Sequence, residues 1–411
     1  MGNKITQENK ELILFTSGFP FTKDEPFLNE EIHFHIANWS KVSVFCVSNS
    51  SKLSSEQFPA IEVYPNRFSY KSKNRFGVIL KYWKSLAQEI LLLIRKGILS
   101  KLGVFTVSTF FQSHAMAKWF ANEHIKPEKE YIIYCYWGNQ LCLTAELIAM
   151  FCKNVKVVTR VHGFDVYEIQ TAHSHVSWQR FLVEHIGLMM PDSQAGCNYL
   201  HQKYPAFKNQ IRTNYCGFYS EKLNPVPDSS CFRIVTCSFI RGVKRLTLLP
   251  PALEKLKFPV KWTVIGDGSG LPELREMCSK LPENIEVEFV GFKTQQQFMK
   301  IYASGRFHFL VSLSKSEGLP VSMIECISFG IPIISTDVGG CNEIVNEVTG
   351  LLIPKDFTAD YLAKQLEKAY ENYNYSLNYR ESIRKFWNEH FNSHKNYNAV
   401  SKMMLEMCGT N

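Results

Sequence analysis

Short apolar runs alternate with helix-patterned segments along the whole chain, a pattern typical of βαβ proteins with parallel sheets. In the first half, the runs that predict strands are LILFTS, KVSVFCVS, YIIYCYW and VKVVTRVH. In the second half, they are FRIVTCSF, KWTVIGD, IEVEFVG, FHFLVSLS and IPIIST. Each half therefore predicts an open α/β sheet of its own, in which ligands bind outside the carboxyl ends of the strands.

A turn-rich segment separates the two sets of strands. Residues 217–230, GFYSEKLNPVPDSS, are rich in turn formers and poor in apolar residues, so we place a domain boundary there. A chain of 411 residues also exceeds the usual size of one hydrophobic core, which favours two or three domains. The tail from residue 386 to 411 predicts one or two further helices.

Composition and charge describe a well-buried globular protein. Apolar residues make up 45% of the chain and aromatic residues 13%, and 46 basic residues against 38 acidic ones give a net charge of +8. The twelve cysteines form no Cys-x-x-Cys pair, which argues against zinc-finger and thioredoxin sites. So many unpaired thiols suit a reducing cytoplasm, and no run of about 18 uncharged apolar residues predicts a membrane span.

The stretch that follows the strand FHFLVSLS carries the strongest chemical signal. A loop, KSEGL, leads into a helix for which Pro320 fits the first helical position and Gly330 fits the end. Main-chain N–H groups at residues 318–322 and the helix dipole predict an anion site. Glu325 lies too deep to meet a phosphate, but its carboxylate can accept from two neighbouring hydroxyls, as in a ribose. A solvated helix acid and an ordinary loop acid would give the same spacing.

Three further strand ends carry polar or glycine residues. They are Arg241, Lys244 and Arg245 after FRIVTCSF, Gly266 and Gly268 after KWTVI, and His162 and Asp165 after VKVVTRV. Each signal is weak alone, because basic triplets are usually solvated, single histidines are usually structural, and Gly-x-Gly is an incomplete dinucleotide fingerprint. Their shared place at the carboxyl ends of predicted strands favours a ligand site.

These segments together resemble one family. SEGLPVSMIECISFGIPIISTDVGG resembles the Glu-x7-Glu motif of family 4 retaining glycosyltransferases. CSFIRGVKRLTLLPPAL is similar to their lysine-bearing segment, VIGDGSG to their glycine loop, VTRVHGFDVYE to their His-Gly-x-Asp segment, and GCNEIVNEVTGLLIP to the segment after the motif. The resemblance runs in family order from about residue 155 to residue 354 and implies a bacterial cell-surface polysaccharide enzyme.

The resemblance also implies the architecture. It is that of an α/β protein of GT-B fold, with two Rossmann-like domains that face each other across a cleft. We expect an N-terminal acceptor-side domain over residues 1–220, a nucleotide-sugar-binding domain over 231–385, and a C-terminal helix over 386–411 that packs back toward the first domain.

The resemblance further implies roles for the residues that match its motifs. Lys244 would bind the donor diphosphate, Glu325 the ribose, and Glu317 the hydroxyls of the transferred sugar, while His162 would lie near the reacting carbon. The catalytic set is His162, Lys244 and Glu317. The donor-binding set is Arg241, Arg245, Gly266, Gly268, Gly318, Leu319, Pro320, Val321 and Glu325. The acceptor-side set is Glu25, Arg160 and Asp165.

Two departures from the family pattern stand out. Phe239 occupies a position where many relatives have an arginine, so Arg241 or Arg245 would have to assist Lys244. SGFPFTKDEPFLNEEI, which contains Glu25, replaces the glycine-rich loop that often follows the first strand, and we interpret it as an acceptor-side difference.

The expected reaction moves a hexose or N-acetylhexosamine from a nucleotide-diphosphate sugar, a UDP-sugar rather than a GDP-sugar, to a glycan or lipid-linked acceptor. The resemblance implies retention, an α-linkage and front-face attack assisted by the departing phosphate. No Asp-x-Asp is present, and a basic loop with a helix terminus stabilises the leaving phosphate, so we expect neither a metal nor a cofactor. A nucleotide-sugar epimerase, a nicotinamide-dependent oxidoreductase and a non-catalytic binding protein are the alternatives.

A basic and aromatic segment predicts a partner surface. Residues 65–103 contain nine basic residues and a single acid, Glu89. Helical spacing relates Ile79, Trp83, Leu86, Ile90 and Leu93. The segment predicts peripheral docking on the cytoplasmic face of an anionic membrane, although a helix packed on its own sheet with a solvated basic face fits the pattern as well. No nucleic-acid-binding motif accompanies it, so we expect no nucleic acid.

Overall fold

The computed structural model describes residues 9–22, 25, 27–48, 58–64, 66–69, 75–171, 173–372 and 375–408. The chain divides into two compact units. The first consists of Met1–Asn214 and Tyr397–Asn411, and the second of Tyr215–Asn396. Each unit contains a six-stranded sheet, and the strand pairings of the described residues in both sheets are parallel.

The first unit is an α/β sheet whose central strands are buried on both faces. Its strands are β1 (Lys10–Thr16), β2 (Lys41–Cys46), β3 (Glu62–Tyr64), β4 (Glu130–Cys135), β5 (Val155–Val161) and β6 (Leu188–Pro191). Their order in the sheet is β3-β2-β1-β4-β5-β6. The helices are α1 (Leu28–Asn38), α2 (Arg75–Arg95), α3 (Leu99–His124), α4 (Gln140–Phe151), α5 (Gly163–Val166), α6 (Gln179–His185) and α7 (Gln194–Lys203). The four predicted strands form as expected.

The second unit repeats this design. Its strands are β7 (Phe232–Cys237), β8 (Val260–Ile265), β9 (Ile285–Gly291), β10 (Phe309–Ser312), β11 (Ile333–Thr336) and β12 (Gly350–Ile353). Their order is β12-β11-β10-β7-β8-β9. The helices are α8 (Pro250–Leu253), α9 (Leu271–Cys278), α10 (Gln295–Ser304), α11 (Val321–Ser328), α12 (Cys341–Ile344), α13 (Ala359–Asn372) and α14 (Leu377–His390). All five predicted strands form, and β12 is an addition.

The last helix, α15 (Ser393–Met407), belongs to the first unit from Tyr397 onward. There Val400 and Met404 are fully buried in an apolar cluster with Leu12 and Leu14 of β1. None of the helices in the described part of the chain is both long enough and apolar enough to cross a membrane.

Each sheet has one point where the strand order reverses. In the first sheet it lies between β1 and β4, and in the second between β7 and β10. Loops that leave two such strands diverge to opposite faces, which opens a crevice at the carboxyl edge where ligands bind in folds of this kind. The predicted site residues can be located relative to these two points.

Candidate active site

Lys244 and Glu317 meet at the reversal point of the second sheet. Lys244 ends a one-turn 3₁₀ helix after β7, and Glu317 lies in the loop after β10. The Lys244 Nζ lies 2.5 Å from the Glu317 Oε1, and both side chains are mostly buried. A main-chain bond from the Lys315 N–H to the Val243 carbonyl, 2.8 Å long, ties the two loops together. The structure therefore joins two of the predicted catalytic residues in one ion pair.

The start of α11 lies beside this pair. The helix begins at Val321, one residue later than predicted, because Pro320 has an extended backbone with ψ of 101°. The main-chain N–H groups of Gly318, Val321 and Ser322 have no acceptor among the described residues. Leu319 is buried and packs into the core of the second unit. The first N–H groups of a helix point outward and, with the helix dipole, favour an anion.

A close main-chain contact fixes the loop that carries Glu317. Gly339 has a φ of +55°, and a Cβ there would lie 2.0 Å from the Glu317 carbonyl oxygen. The next N–H, of Gly340, donates to the Gly318 carbonyl at 2.8 Å. Only glycine allows this approach, so the sequence DVGG after β11 holds the loop in place.

Glu325 lies in the second turn of α11 as a largely buried acid. No described residue hydrogen-bonds to its carboxylate, and burial raises its pKa to about 8. Its neighbours include Cys237, the last residue of β7, whose thiol pKa is raised to about 12 by burial first and by the Glu325 charge second. A largely buried acid without a partner, next to an anion site, can accept ligand hydroxyls.

Gly266 and Gly268 allow the loop after β7 to pass close by, because they have no side chain. Their φ values are +141° and +153°, and a Cβ would lie 1.9 Å from the Ser238 carbonyl oxygen and 2.4 Å from that of Ile240. The Ile240 N–H donates to the Asp267 carbonyl at 2.9 Å. The two glycines therefore set the course of the loop that leads to Lys244, and donor binding by them stays a prediction.

The guanidinium of Arg245 donates to main-chain carbonyl groups of the second unit. It donates to the carbonyl oxygens of Leu313, Ser314 and Lys355 at 2.7, 3.1 and 2.9 Å. These bonds fasten the loops after β10 and β12 to the β7 exit. A direct contact with a donor would require Arg245 to leave these carbonyl groups, so its contacts argue against the predicted donor-binding role.

Arg241 is exposed and stacks on the ring of Phe239, with the guanidinium 5.0 Å from the ring centre. It is therefore the accessible cation of the two arginines proposed to assist Lys244. Whether it does so stays a prediction.

His162 lies at the start of α5, directly after β5. Its ring packs between Trp137 and Tyr136, with ring centres 4.5 and 5.2 Å away. The Asp165 carboxylate accepts from the His162 main-chain N–H at 3.2 Å. Asp192, directly after β6, is buried nearby, and burial raises its pKa although the His162 and Arg160 charges lower it. Asp165 therefore positions His162, and its predicted acceptor contact is not tested.

Glu25 joins two strand exits at the reversal point of the first sheet. Its carboxylate accepts from the N–H groups of Ser17, Gly18 and Phe19 at 3.1, 2.9 and 2.8 Å. It also accepts from the Trp137 Nε1 at 2.7 Å. All of these partners belong to the first unit, so an acceptor contact by Glu25, as predicted, would compete with them.

Arg160 is a fully buried cation. Its guanidinium donates to the Tyr134 hydroxyl, the Asn214 carbonyl and the Glu31 carboxylate at 3.0, 3.0 and 3.3 Å. Burial alone would raise the pKa of Glu31, but Arg160 and the neighbouring His35 lower it to about 2. With no exposed surface, Arg160 supports the fold around β5 rather than offering its side chain to an acceptor, contrary to its predicted place.

Trp137 is a residue that sequence reasoning missed. It is the last residue of the segment YIIYCYW, two residues after the end of β4, and the rule that ligands gather at strand exits would have singled it out. Within the described residues, no group of three or more His, Cys, Asp or Glu side chains is arranged to hold a metal ion. The expectation that the protein works without a metal or cofactor is not tested by this.

Residues 232–386, which include Lys244, Glu317 and Glu325, match the family described as "Glycosyl transferases group 1". The chain contains a glycosyltransferase domain. This match lends no support to the epimerase and oxidoreductase alternatives.

Curated relatives of this chain include two bacterial polysaccharide enzymes. The amylovoran biosynthesis glycosyltransferase AmsK of Erwinia amylovora is 26% identical over 242 residues, 56% of this chain and 59% of AmsK. The O-antigen biosynthesis glycosyltransferase WbnH of Escherichia coli is 33% identical over 122 residues, 30% of this chain and 33% of WbnH. The chain thus spans between a third and three-fifths of the length of these relatives.

Solved structures resemble nearly the whole chain. HepE of Anabaena in complex with UDP superposes with a TM-score of 0.67 at 15% identity, over 97% of this chain and 100% of HepE. The lipopolysaccharide outer core galactosyltransferase WaaB gives a TM-score of 0.67 at 14% identity, over 97% of this chain and 99% of WaaB. The fold is that of the GT-B glycosyltransferases, as the sequence predicted.

Proposed function

We propose that this protein transfers a sugar from a nucleotide-diphosphate donor to a glycan or lipid-linked acceptor during polysaccharide biosynthesis. The observation that carries the proposal is the Lys244–Glu317 pair at the reversal point of the second sheet, beside the start of α11. Relatives named for amylovoran and O-antigen biosynthesis support the polysaccharide context.

The donor diphosphate would lie between Lys244 and the N–H groups at the start of α11. Transfer builds negative charge on the departing phosphate, and fixed cations and main-chain donors stabilise that charge most effectively. A diphosphate competes with Glu317 for Lys244. Once released from Lys244, the Glu317 carboxylate can accept from hydroxyls of the sugar to be transferred.

Glu325 would bind the ribose. Two neighbouring hydroxyls can donate to one carboxylate, and these bonds favour its charged form. Because burial raises the pKa of Glu325 to about 8, ribose binding at neutral pH would release a proton from it.

The finer parts of the proposal rest on the family resemblance and on the solved relatives. Complexes of HepE with UDP and with UDP-glucose support a UDP-sugar donor, carrying a hexose or N-acetylhexosamine. We infer retention and an α-linkage from the Glu-x7-Glu segment, with His162 near the reacting carbon. An NMR spectrum of the product, showing an α or a β anomeric proton, tests this inference.

A thermal-shift panel tests donor binding. UDP-, GDP- and ADP-sugars are each added to the wild type, to Lys244→Ala and to Lys280→Ala. Lys280 is the control, because it is an exposed lysine of the same unit that also pairs with a glutamate, Glu276. We expect UDP-sugars to stabilise the wild type and the control but not Lys244→Ala. An undiminished shift in Lys244→Ala would remove Lys244 from the site.

A second measurement distinguishes transfer from epimerisation. A transferase releases UDP in proportion to acceptor, whereas an epimerase changes the donor sugar and releases no UDP. We expect UDP release to depend on added acceptor. Conversion of the donor without acceptor and without UDP would favour the epimerase.

A further inference from the structure

Helix α2 has a second apolar face in addition to the one that packs on the core. Val78, Leu86 and Leu93 are buried, as expected of a helix on its own sheet. Phe76, Ile79, Leu80, Trp83, Leu91 and Ile94 are all exposed, with Phe76 at 71% and Trp83 at 58%. Their spacing of three, four or eight residues, which is about one or two helical turns, places them along one stripe. Of the five apolar residues predicted to share a single face, Leu86 and Leu93 are buried, Ile79 and Trp83 lie in this exposed stripe, and Ile90 is half-buried.

The start of α3 extends the stripe. Leu99, Val104 and Phe105 are also exposed, and Val104 reaches 87%. Between the two helices lies a groove of about 520 Å³, lined among others by Ile90, Val104 and Phe111. We call the exposed apolar residues of α2 and α3 together with this groove the α2–α3 face. A contiguous apolar surface of this kind marks a binding surface.

Within the described residues, the exposed charged side chains of α2 and of the first turns of α3 are all cations. Lys81, Lys84, Arg95 and Lys101 are exposed on the same two helices. Glu89, the only acid of residues 65–103, is buried and lies 2.8 Å from His175. Residues 65 and 70–74 of the predicted basic segment, which include Lys71 and Lys73, lie outside the described residues.

The charges decide which partner fits. A second copy of the chain would bring two cationic faces together, which is unfavourable. An anionic bilayer offers the opposite charge together with an apolar layer that accepts the exposed side chains. The Lys84 ammonium lies 5.8 Å from the ring centre of Trp83. Tryptophan and lysine side by side favour the membrane interface.

We propose that the α2–α3 face docks the protein reversibly on an anionic lipid bilayer. Phe76, Leu80 and Trp83 enter the interface between headgroups and acyl chains, and Lys84 and Arg95 meet the lipid phosphates. The surface does not depend on the proposed sugar transfer, although docking would bring the enzyme to a lipid-linked acceptor.

Vesicle flotation tests the proposal. Vesicles of equimolar phosphatidylglycerol and phosphatidylcholine are compared with vesicles of phosphatidylcholine alone. We expect the wild type to float with the anionic vesicles and to remain at the bottom with the neutral ones. Lys84→Gln/Arg95→Gln should lower the partition coefficient about 30-fold, since each cation near the surface contributes about 1 kcal/mol. Leu80→Ser/Trp83→Ser should lower it about tenfold or more.

Matched controls change the same residue types elsewhere. Leu377→Ser removes a leucine that is 52% exposed on α14, and Lys364→Gln removes an exposed lysine on α13. Both should float like the wild type. Flotation that the α2–α3 variants leave unchanged, equal flotation with neutral vesicles, or no flotation at all would overturn the proposal. A dimer in sedimentation velocity that Leu80→Ser/Trp83→Ser dissociates would assign the face to a second copy instead.

Discussion

The indole of Trp137 packs against the imidazole of His162, with ring centres 4.5 Å apart, and its Nε1 is bonded to Glu25. Loss of this support would misplace His162. We expect Trp137→Leu to lower kcat about 100-fold, since a displacement of about 1 Å at a reacting centre can have that effect. The Kd for UDP should stay unchanged. Steady-state kinetics and calorimetry measure the two quantities.

Trp137→Phe is the matched variant, because it keeps an aromatic ring against His162 but loses the bond to Glu25. Its kcat should lie between those of the wild type and Trp137→Leu. A wild-type kcat in Trp137→Leu would contradict the positioning role, and a parallel loss of UDP affinity would indicate general disruption.

Replacing Glu317 by glutamine separates donor binding from transfer. Glu317→Gln removes the charge that competes with a diphosphate for Lys244, so the affinity for UDP should rise. Transfer should nevertheless fall, by about 3 kcal/mol in the activation free energy, if the carboxylate positions the sugar through charge-assisted bonds. Calorimetry with UDP and initial rates with the full donor test the two halves. Weaker UDP binding in this variant would refute the competition.

The affinity for nucleotide should depend on pH through Glu325. Its pKa of about 8 means that the acid is mostly protonated at neutral pH, whereas ribose hydroxyls favour the carboxylate. UDP affinity should therefore rise by up to tenfold per pH unit and level off above pH 8. Glu325→Gln should flatten this dependence. A slope that persists in the variant would assign the effect to another group.

The raised pKa of Glu325 also makes the stability of the fold depend on pH. Stability should fall as pH rises, whereas UDP affinity should increase. Between the ordinary carboxyl pKa of 4.5 and about 8, the folded protein holds a proton on Glu325 that the unfolded chain has released. Its contribution to stability thus falls as pH rises through this range. The difference in unfolding free energy between Glu325→Gln and the wild type should widen in favour of the variant up to about pH 8, as measured by urea denaturation.

Breaking the buried Glu31–Arg160 pair should destabilise the first unit strongly. Glu31→Gln leaves the Arg160 charge buried without its counter-charge, at a cost of about 3–5 kcal/mol in unfolding free energy. Glu184→Gln, which breaks the partly exposed pair of Arg180 and Glu184, should cost at most about 1 kcal/mol. Urea denaturation of both variants gives the comparison, and equal costs would contradict it.

Lowering the pH should reduce the unfolding free energy of the wild type, because it protonates the Glu31 carboxylate. The pKa of Glu31 is about 2 in the fold against 4.5 as its ordinary value. Its contribution to stability is therefore complete above pH 4.5 and is lost as pH falls toward 2. The gap in unfolding free energy between Glu31→Gln and the wild type should narrow over this window.

The apolar pattern predicted the strands that carry the site, because buried parallel strands give long uninterrupted runs. It did not predict β3, which has only three residues, or β6, whose sequence LMMP lacks β-branched residues. The family resemblance assigned Lys244 and residues 318–321 to one donor site, and the exits of β7 and β10 that carry them are neighbours in the structure. Side-chain direction was beyond the pattern, since nothing in it distinguishes Arg245, which turns inward to carbonyl groups, from Arg241, which stays exposed.

Helix α2 shows the same limit for apolar residues. Ile79, Trp83, Leu86 and Leu93 have helical spacing, but spacing alone assigns no residue to the core or to solvent. The kink at Tyr82, with φ of −114° and ψ of 21°, and the packing of α3 determine which residues are buried.

The main-chain hydrogen bonds between the loops after β7 and β8 have a consequence for how this protein could change. Ser238 and Ile240 are held by backbone bonds to Ile265 and Asp267, so the course of the loop does not depend on what lies between them. The side chain of Phe239 projects outward from this part of the loop. Evolution, or a laboratory selection for new donors, can thus exchange the side chain at position 239. The backbone of the loop that leads to Lys244 would keep its course.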